Sequence, residues 1–193
     1  MTTTDKKKST DRDTAVKAAI EKIVVNAGIG RASQLAGFED KALPQIKRDI
    51  ALLAGQASQI RASKKSIAGF KMREGQTVGL RITLRQKRMV DFFERLVRIV
   101  LPRVHDFRGV ALQSIDAGGA LSIGFREQFV FPETNPEESP ATFSLGITIV
   151  PRKKDRATAV AIYRELGVPL QAEAQSEERR AKSKRKKRTK KTK

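Results

Sequence analysis

Thr77-Val78-Gly79-Leu80-Arg81-Ile82-Thr83-Leu84-Arg85 alternates without a break. Val78, Leu80, Ile82 and Leu84 fall on one side of an extended chain; Thr77, Gly79, Arg81, Thr83 and Arg85 fall on the other. Successive side chains of a strand point to opposite faces, so the stretch reads as a strand with one buried and one wet face. The period then changes. Phe92, Phe93, Leu96, Val97 and Val100 recur at helical spacing within Met89–Leu101, and Pro102 is expected to limit that helix.

Working outward, Ile20–Asn26 reads as a strand ending in a glycine turn at Gly28 and Gly30. Leu43, Ile46, Ile50 and Leu53 have helical spacing, with Gly55 as the stop. Ala57–Ala62 is a short strand candidate. Leu121, Ile123 and Phe125 alternate, as do Phe143, Leu145, Ile147 and Ile149. Asp155–Leu166 reads as a closing helix, followed by Gly167 and Pro169. The order is strand, helix, two strands, helix, two strands, helix. It predicts an α+β fold: a largely antiparallel sheet of about five strands with helices packed on one face.

This single domain is expected over residues 18–170, between two tails. Met1–Lys17 is Thr-, Lys- and Asp-rich and reads as a disordered polar arm. Residues 171–193 read as a basic disordered tail; from Ser176 on, eleven Lys or Arg stand against two acids. That tail holds nearly half of the net charge of +19, which comes from 40 Lys plus Arg and 21 Asp plus Glu in 193 residues. The body is basic as well. Such an excess points to a polyanion, because clustered cations neutralise phosphates and release counterions. A basic membrane-surface protein is the competing reading.

There are no cysteines, so disulfides and thiolate metal sites are excluded. Lys6-Lys7-Lys8 has no apolar segment behind it, and no run approaches the ~18 apolar residues of a membrane span. The expected location is cytoplasmic.

Asn26-Ala27-Gly28-Ile29-Gly30-Arg31-Ala32-Ser33 is nearly the dinucleotide-binding turn, but its third position is Ser33 and the strands do not alternate singly with helices. A plain tight turn, or a turn that packs backbone against RNA, accounts for it better. A nucleotide-binding enzyme stays as an alternative. No catalytic set stands out. His105 is the sole histidine, among Arg103, Asp106 and Arg108. Glu133, Glu137 and Glu138 sit in a Pro-rich loop without ligand spacing and read as a solvated acidic loop. Neither metal nor cofactor is expected.

Two features suit nucleic acid. The polar strand face Arg81, Thr83 and Arg85, with Gly79, can take phosphates and ribose hydroxyls at close range. Its alternative is an ordinary solvated face. The segment Ser63–Gly75 is too long for a usual hairpin loop and carries Lys64, Lys65, Lys71 and Arg73 around Ile67–Phe70. It could track a backbone and stack Phe70 on a base. The other possibility is a mobile charged loop whose Phe70 folds back.

In this segment the residues resemble a known family. Lys64-Lys65-Ser66-Ile67-Ala68-Gly69-Phe70-Lys71 resembles a loop of large-subunit ribosomal protein number five, of bacterial type. Thr83-Leu84-Arg85, Arg88-Met89 and Asp91–Leu96 are similar to its next block. Leu101-Pro102-Arg103, Asp106–Gly109, Phe125–Gln128 with Phe131-Pro132-Glu133, and the early Asn26–Gly30 match in register. The resemblance covers roughly Ile20–Leu170.

It implies a non-catalytic ribosomal protein that binds 5S rRNA in the central protuberance of the large subunit, with 23S rRNA and neighbouring ribosomal proteins as further partners. On it, Asn26, Gln56 and Thr83 fall on the rRNA surface, and Gly28 and Gly30 in its turn; strand alternation adds Arg81 and Arg85. The loop with Lys64, Lys65, Ser66, Gly69, Phe70, Lys71 and Arg73 falls where the family reaches peptidyl-site tRNA. Asp106, Phe107, Arg108 and Gly109, with the loop Phe131–Ala141, fall near its contact with a small-subunit protein. A generic basic nucleic-acid-binding protein is the alternative. Three departures stand out: a polar arm replaces the family's opening helix, Gln86 stands where Gly is common, and the tail after Gln171 exceeds the usual ending.

Overall fold

A computed structural model describes residues 12–30, 33, 38–70, 72–135, 137, 139 and 142–171, apart from the side chains of Lys41 and Phe70. Strand β1, Ile20–Gly28, takes the centre of a five-stranded sheet. It is flanked by β3, Thr77–Leu84, and β5, Ser144–Pro151. The edges are β2, Gln59–Ala62, and β4, Leu121–Phe125, giving the order β2-β3-β1-β5-β4 with every neighbour antiparallel. The helices are α1 (residues 12–19), α2 (Leu43–Ala54), α3 (Gln86–Arg95), the short α4 (Leu101–Arg103) and α5 (Arg156–Glu165). The α+β fold and its antiparallel sheet follow the sequence patterning.

One face of the sheet makes the core. Ile23 and Val25 of β1, Leu80 and Ile82 of β3, and Leu145 and Ile147 of β5 are buried, as are Ile46 and Ile50 of α2 and Met89, Phe92 and Phe93 of α3. Each such side chain contributes about 1.5–3 kcal/mol on burial. Gly55 ends α2 in the left-handed region at φ 64°, with its N–H donating to Ala51 O at 2.8 Å. Asp155 caps α5 by accepting the Thr158 N–H at 2.8 Å.

Several expectations need correction. The polar arm of Met1–Lys17 is helical from residue 12, and Val16 of that helix is buried. A single apolar anchor per two turns gives no periodic signal, which is why the stretch reads as an arm. Residues 1–11 lie outside the described residues.

Pro102 does not stop the helix ahead of it. Leu96–Val100 widens to a π turn, in which the Leu101 N–H reaches back to Leu96 O, and α4 runs one residue past the proline. The helix also starts three residues earlier than expected, at Gln86. Gly28 belongs to the ladder rather than to a turn: it pairs with Gly79 on one side and Ser144 on the other. Gln171 belongs to the body, not the tail. It is buried, its N–H donates to Val110 O at 2.9 Å and its Nε2 donates to Gly109 O at 2.9 Å. The rest of the basic tail lies outside the described residues.

Candidate nucleic-acid interface

The second face of the sheet has a different composition. Antiparallel register brings Gln59, Arg81, Asn26, Gly146 and Gly124 into one transverse row across all five strands. The neighbouring row holds Arg61, Gly79, Gly28 and Ser144; the one on the other side holds Thr83, Val24, Thr148 and Ser122. The face is therefore a floor of glycines and short hydroxyls, with arginines and amides on the β2 side.

The glycines divide by cause. A Cβ on Gly79 would meet Ala27 O at 3.0 Å, and one on Gly28 would meet Ser144 Oγ at 3.1 Å, so internal crowding explains both. A Cβ on Gly124 would meet nothing within 4 Å, and on Gly146 only Asn26 O at 3.9 Å. The fold leaves room for side chains there, so internal crowding explains neither glycine.

Of the predicted rRNA residues, Asn26, Arg81 and Thr83 share this face. Asn26 is exposed; Arg81 is half-buried, and its Nε is buried with no partner among the described residues. Arg85 is not on the face. The ladder ends at Leu84, and Arg85 sits on the rim as the residue before α3, with its guanidinium 3.8 Å from Glu21. Gln56 lies off the sheet, between α2 and β2, where its Oε1 accepts from Arg88 at 3.3 Å. Gly30 stands past the strand end, where the Ile29 N–H still donates to Val78 O at 3.2 Å.

The described part of the basic segment Ser63–Gly75 is tied by hydrogen bonds at its base and across its middle. Ser63 N–H donates to Gln76 O and Gly75 N–H to Ser63 O, at 2.8 and 3.0 Å. Ile67 and Met72 exchange two backbone hydrogen bonds, and Ser66 Oγ donates to Met72 O at 3.1 Å. Ala68–Phe70 forms a 3-10 turn at the tip. Lys64, Lys65, Gly69 and Arg73 are exposed around it. Lys71 and the Phe70 side chain lie outside the described residues. Gln76 ties this loop to the turn after β1: its Nε2 donates to Ser33 O and Oγ at 3.2 and 3.0 Å, and its Oε1 accepts the Arg73 N–H at 3.1 Å.

The segment Asp106–Gly109 mixes exposed and structural residues. Asp106 (φ 55°) and Arg108 are exposed, and Asp106 lies 3.1 Å from His105 Nδ1. Phe107 packs half-buried against the core. Gly109, at φ 92°, sits where a Cβ would come within 3.0 Å of Pro169 O.

The acidic loop is not simply solvated. Glu133 pairs with Arg95, whose other nitrogen donates to Leu53 O at 3.1 Å. Ser139 donates to the buried Asp49, and Gln128 Oε1 accepts the Phe143 N–H at 3.0 Å. Glu137 is exposed, and Glu138 lies outside the described residues. Among the described residues no acidic or histidine cluster suits a metal, and no helix is long and apolar enough to cross a membrane.

The dinucleotide alternative fails on topology. It needs a parallel strand–helix–strand unit opening at the glycines, whereas Gly28 is laddered on both sides of an antiparallel sheet.

Sequence reading missed Arg61, Gln59 and the β4–β5 contributions to the open face, although their outward positions alternate as plainly as the inward ones.

Comparison with known proteins agrees with this architecture. The family model described as Ribosomal protein L5 matches residues 17–73, and the model for the C-terminal part of the same ribosomal family matches residues 77–170. Large ribosomal subunit protein uL5 of Rubrobacter xylanophilus is 44% identical over 151 residues, covering 78% of this chain and 82% of that protein. The protein of the same name from Geobacter sulfurreducens is 42% identical over the same shares. That from Pseudothermotoga lettingae is 45% identical over 78% of this chain and 80% of its own. With relatives this similar across both family models, the chain belongs to the bacterial uL5 family of ribosomal proteins, which are structural proteins and not enzymes.

Proposed function

We propose that the chain is a structural constituent of the large ribosomal subunit, acting in the cytoplasm, and that it binds 5S rRNA in the central protuberance through the uncovered face of its sheet. One observation carries the reading: Arg81, Asn26, Gly146 and Gly124 lie in one row, joining donors to a bare backbone floor. RNA is recognised largely by shape and by phosphate and 2′-hydroxyl contacts, which short side chains and backbone can reach only at close range. Charge supplies the strength, and the net +19 of the chain supplies the charge.

The remaining partners belong to the same proposal, which family membership supports. The pinched loop Ser63–Gly75 presents exposed Lys64, Lys65 and Arg73 and is the element for peptidyl-site tRNA. Asp106 and Arg108, exposed, are the groups for a small-subunit protein, while Phe107 and Gly109 hold that segment in shape. 23S rRNA and neighbouring proteins of the protuberance complete the set. The described body, from the helix at residue 12 to Gln171, acts as the RNA-binding domain, with the tail beyond it as an additional polyanion anchor.

A gel-shift series with 5S rRNA and an unrelated RNA of equal length tests the reading. Preference for 5S rRNA is expected, with affinity falling roughly 10³-fold or more between 50 and 200 mM salt. Equal affinity for both RNAs at moderate salt would leave only a generic basic nucleic-acid-binding protein.

A further inference from the structure

We infer that the cleft between α1, the start of α3 and Arg152 is a phosphate site, which holds the backbone of an RNA strand where it leaves the sheet. The inference rests on the RNA-binding reading above and adds an anchor that the reading does not contain.

The cleft has a volume of about 430 Å³ and gathers Lys17 from α1, Arg85 and Lys87 from the β3–α3 junction, and Arg152 from the chain beyond β5. Among the described residues Glu21 is the one carboxylate lining it. Arg152 is fixed in place: its backbone N–H donates to Ala19 O at 2.9 Å and its Nε donates to Lys17 O at 3.0 Å. Glu21 is already divided between Lys22 at 3.1 Å and Arg85 at 3.8 Å. Lys22, and after it Arg85 and Lys154, hold its carboxyl below the ordinary value. The cations therefore remain in excess.

The first turn of α3 opens beside this cleft. Arg85 before it supplies no side-chain acceptor, and its first turn carries no acid. Lys87 and Arg88 stand there instead. The start of a helix carries partial positive charge and unpaired N–H groups, so cations at that end are unfavourable until an anion joins them. A phosphate answers both deficits: its oxygens accept the N–H groups and neutralise Lys17, Lys87 and Arg152. Among the described residues no aromatic side chain lines the cleft, so it holds the backbone of a strand without reading its bases.

The test uses the full-length protein and 5S rRNA, with filter binding across a salt series. The double variant K87Q/R152Q is compared with R48Q/R164Q, which removes equal charge from the exposed sides of α2 and α5. The cleft variant should flatten the salt slope by about one to two units and weaken binding about tenfold, with the control within about twofold of wild type. A wild-type slope in the cleft variant, or equal weakening in the control, overturns the site. A second arm follows the Lys87 and Arg88 amides by NMR while inorganic phosphate replaces chloride at constant ionic strength. Shifts in the wild-type protein that vanish in K87Q/R152Q are expected; unmoved amides overturn the site whatever the RNA result. Should wild-type protein show no preference for 5S rRNA while its amides still respond to phosphate, the RNA reading fails and the phosphate site stands.

Discussion

Arg81 stands directly opposite Asn26 across the antiparallel β1–β3 ladder, and both side chains leave the sheet on the face opposite the core, which among the described residues no helix covers. A cation and an amide on adjacent strands offer several donors within one nucleotide's reach. Arg81→Ala should weaken 5S rRNA binding by about tenfold or more, since hydrogen bonds to charged groups contribute about 1.5–3 kcal/mol. Filter binding measures the loss, and calorimetry of the free protein should show a folding midpoint close to wild type.

The glycine floor makes a prediction in which stability and binding move in opposite directions. Gly124→Ala meets no internal atom. Replacing a strand glycine by alanine should stabilise the free protein by about 0.5–1 kcal/mol. The added methyl group raises the floor, so affinity for 5S rRNA should fall. A urea titration beside a gel shift checks both; a variant that binds as tightly as wild type would remove the floor from the RNA-binding face.

Gln86 adopts φ 53°, a region that costs a residue with a Cβ about 1–2 kcal/mol. Gln86→Gly should raise the urea midpoint by an amount equivalent to about 0.5–1 kcal/mol, after the greater unfolded-state freedom of glycine is subtracted, with the m-value unchanged.

Tyr163 is fully buried, and its hydroxyl lies 2.9 Å from Gly119 O and 3.2 Å from Ile149 O. Burial pushes its ionisation above the ordinary phenol value. Tyr163→Phe should cost about 1–3 kcal/mol at neutral pH, because buried acceptors lose their donor. A raised folded-state pKa means that the native state keeps its proton longer. This contribution is thus complete below the ordinary phenol value of about 10 and declines as pH rises beyond it. Denaturation midpoints of the two proteins should converge above that pH.

The fold was legible wherever one face of an element met the core. Val78, Leu80, Ile82 and Leu84 announced β3 by alternation, and Ile46, Ile50 and Leu53 announced α2 by helical spacing. The helix at residues 12–19 was not, since only Val16, with Ala19 partly buried behind it, packs on the core and most of its other residues read as solvent. Pro102 misled because a π turn can shift the hydrogen-bond register ahead of a proline. Of the candidate interface, Arg81 and Thr83 were visible through strand period. The row to Gly146 and Gly124 was not, because register between strands is a long-range property. The Asp49–Ser139 and Arg95–Glu133 links were equally silent, each joining distant stretches through polar groups that look solvated in sequence.

Gln76 works as a rivet. One amide group grips Ser33 at the turn after β1 with its nitrogen and the rim of the basic loop at Arg73 with its oxygen. The loop is consequently a lever with a fixed pivot rather than a tether. A pull on its tip is delivered, through that one side chain, to the turn at the end of β1, so the loop and the end of the central strand share any mechanical load.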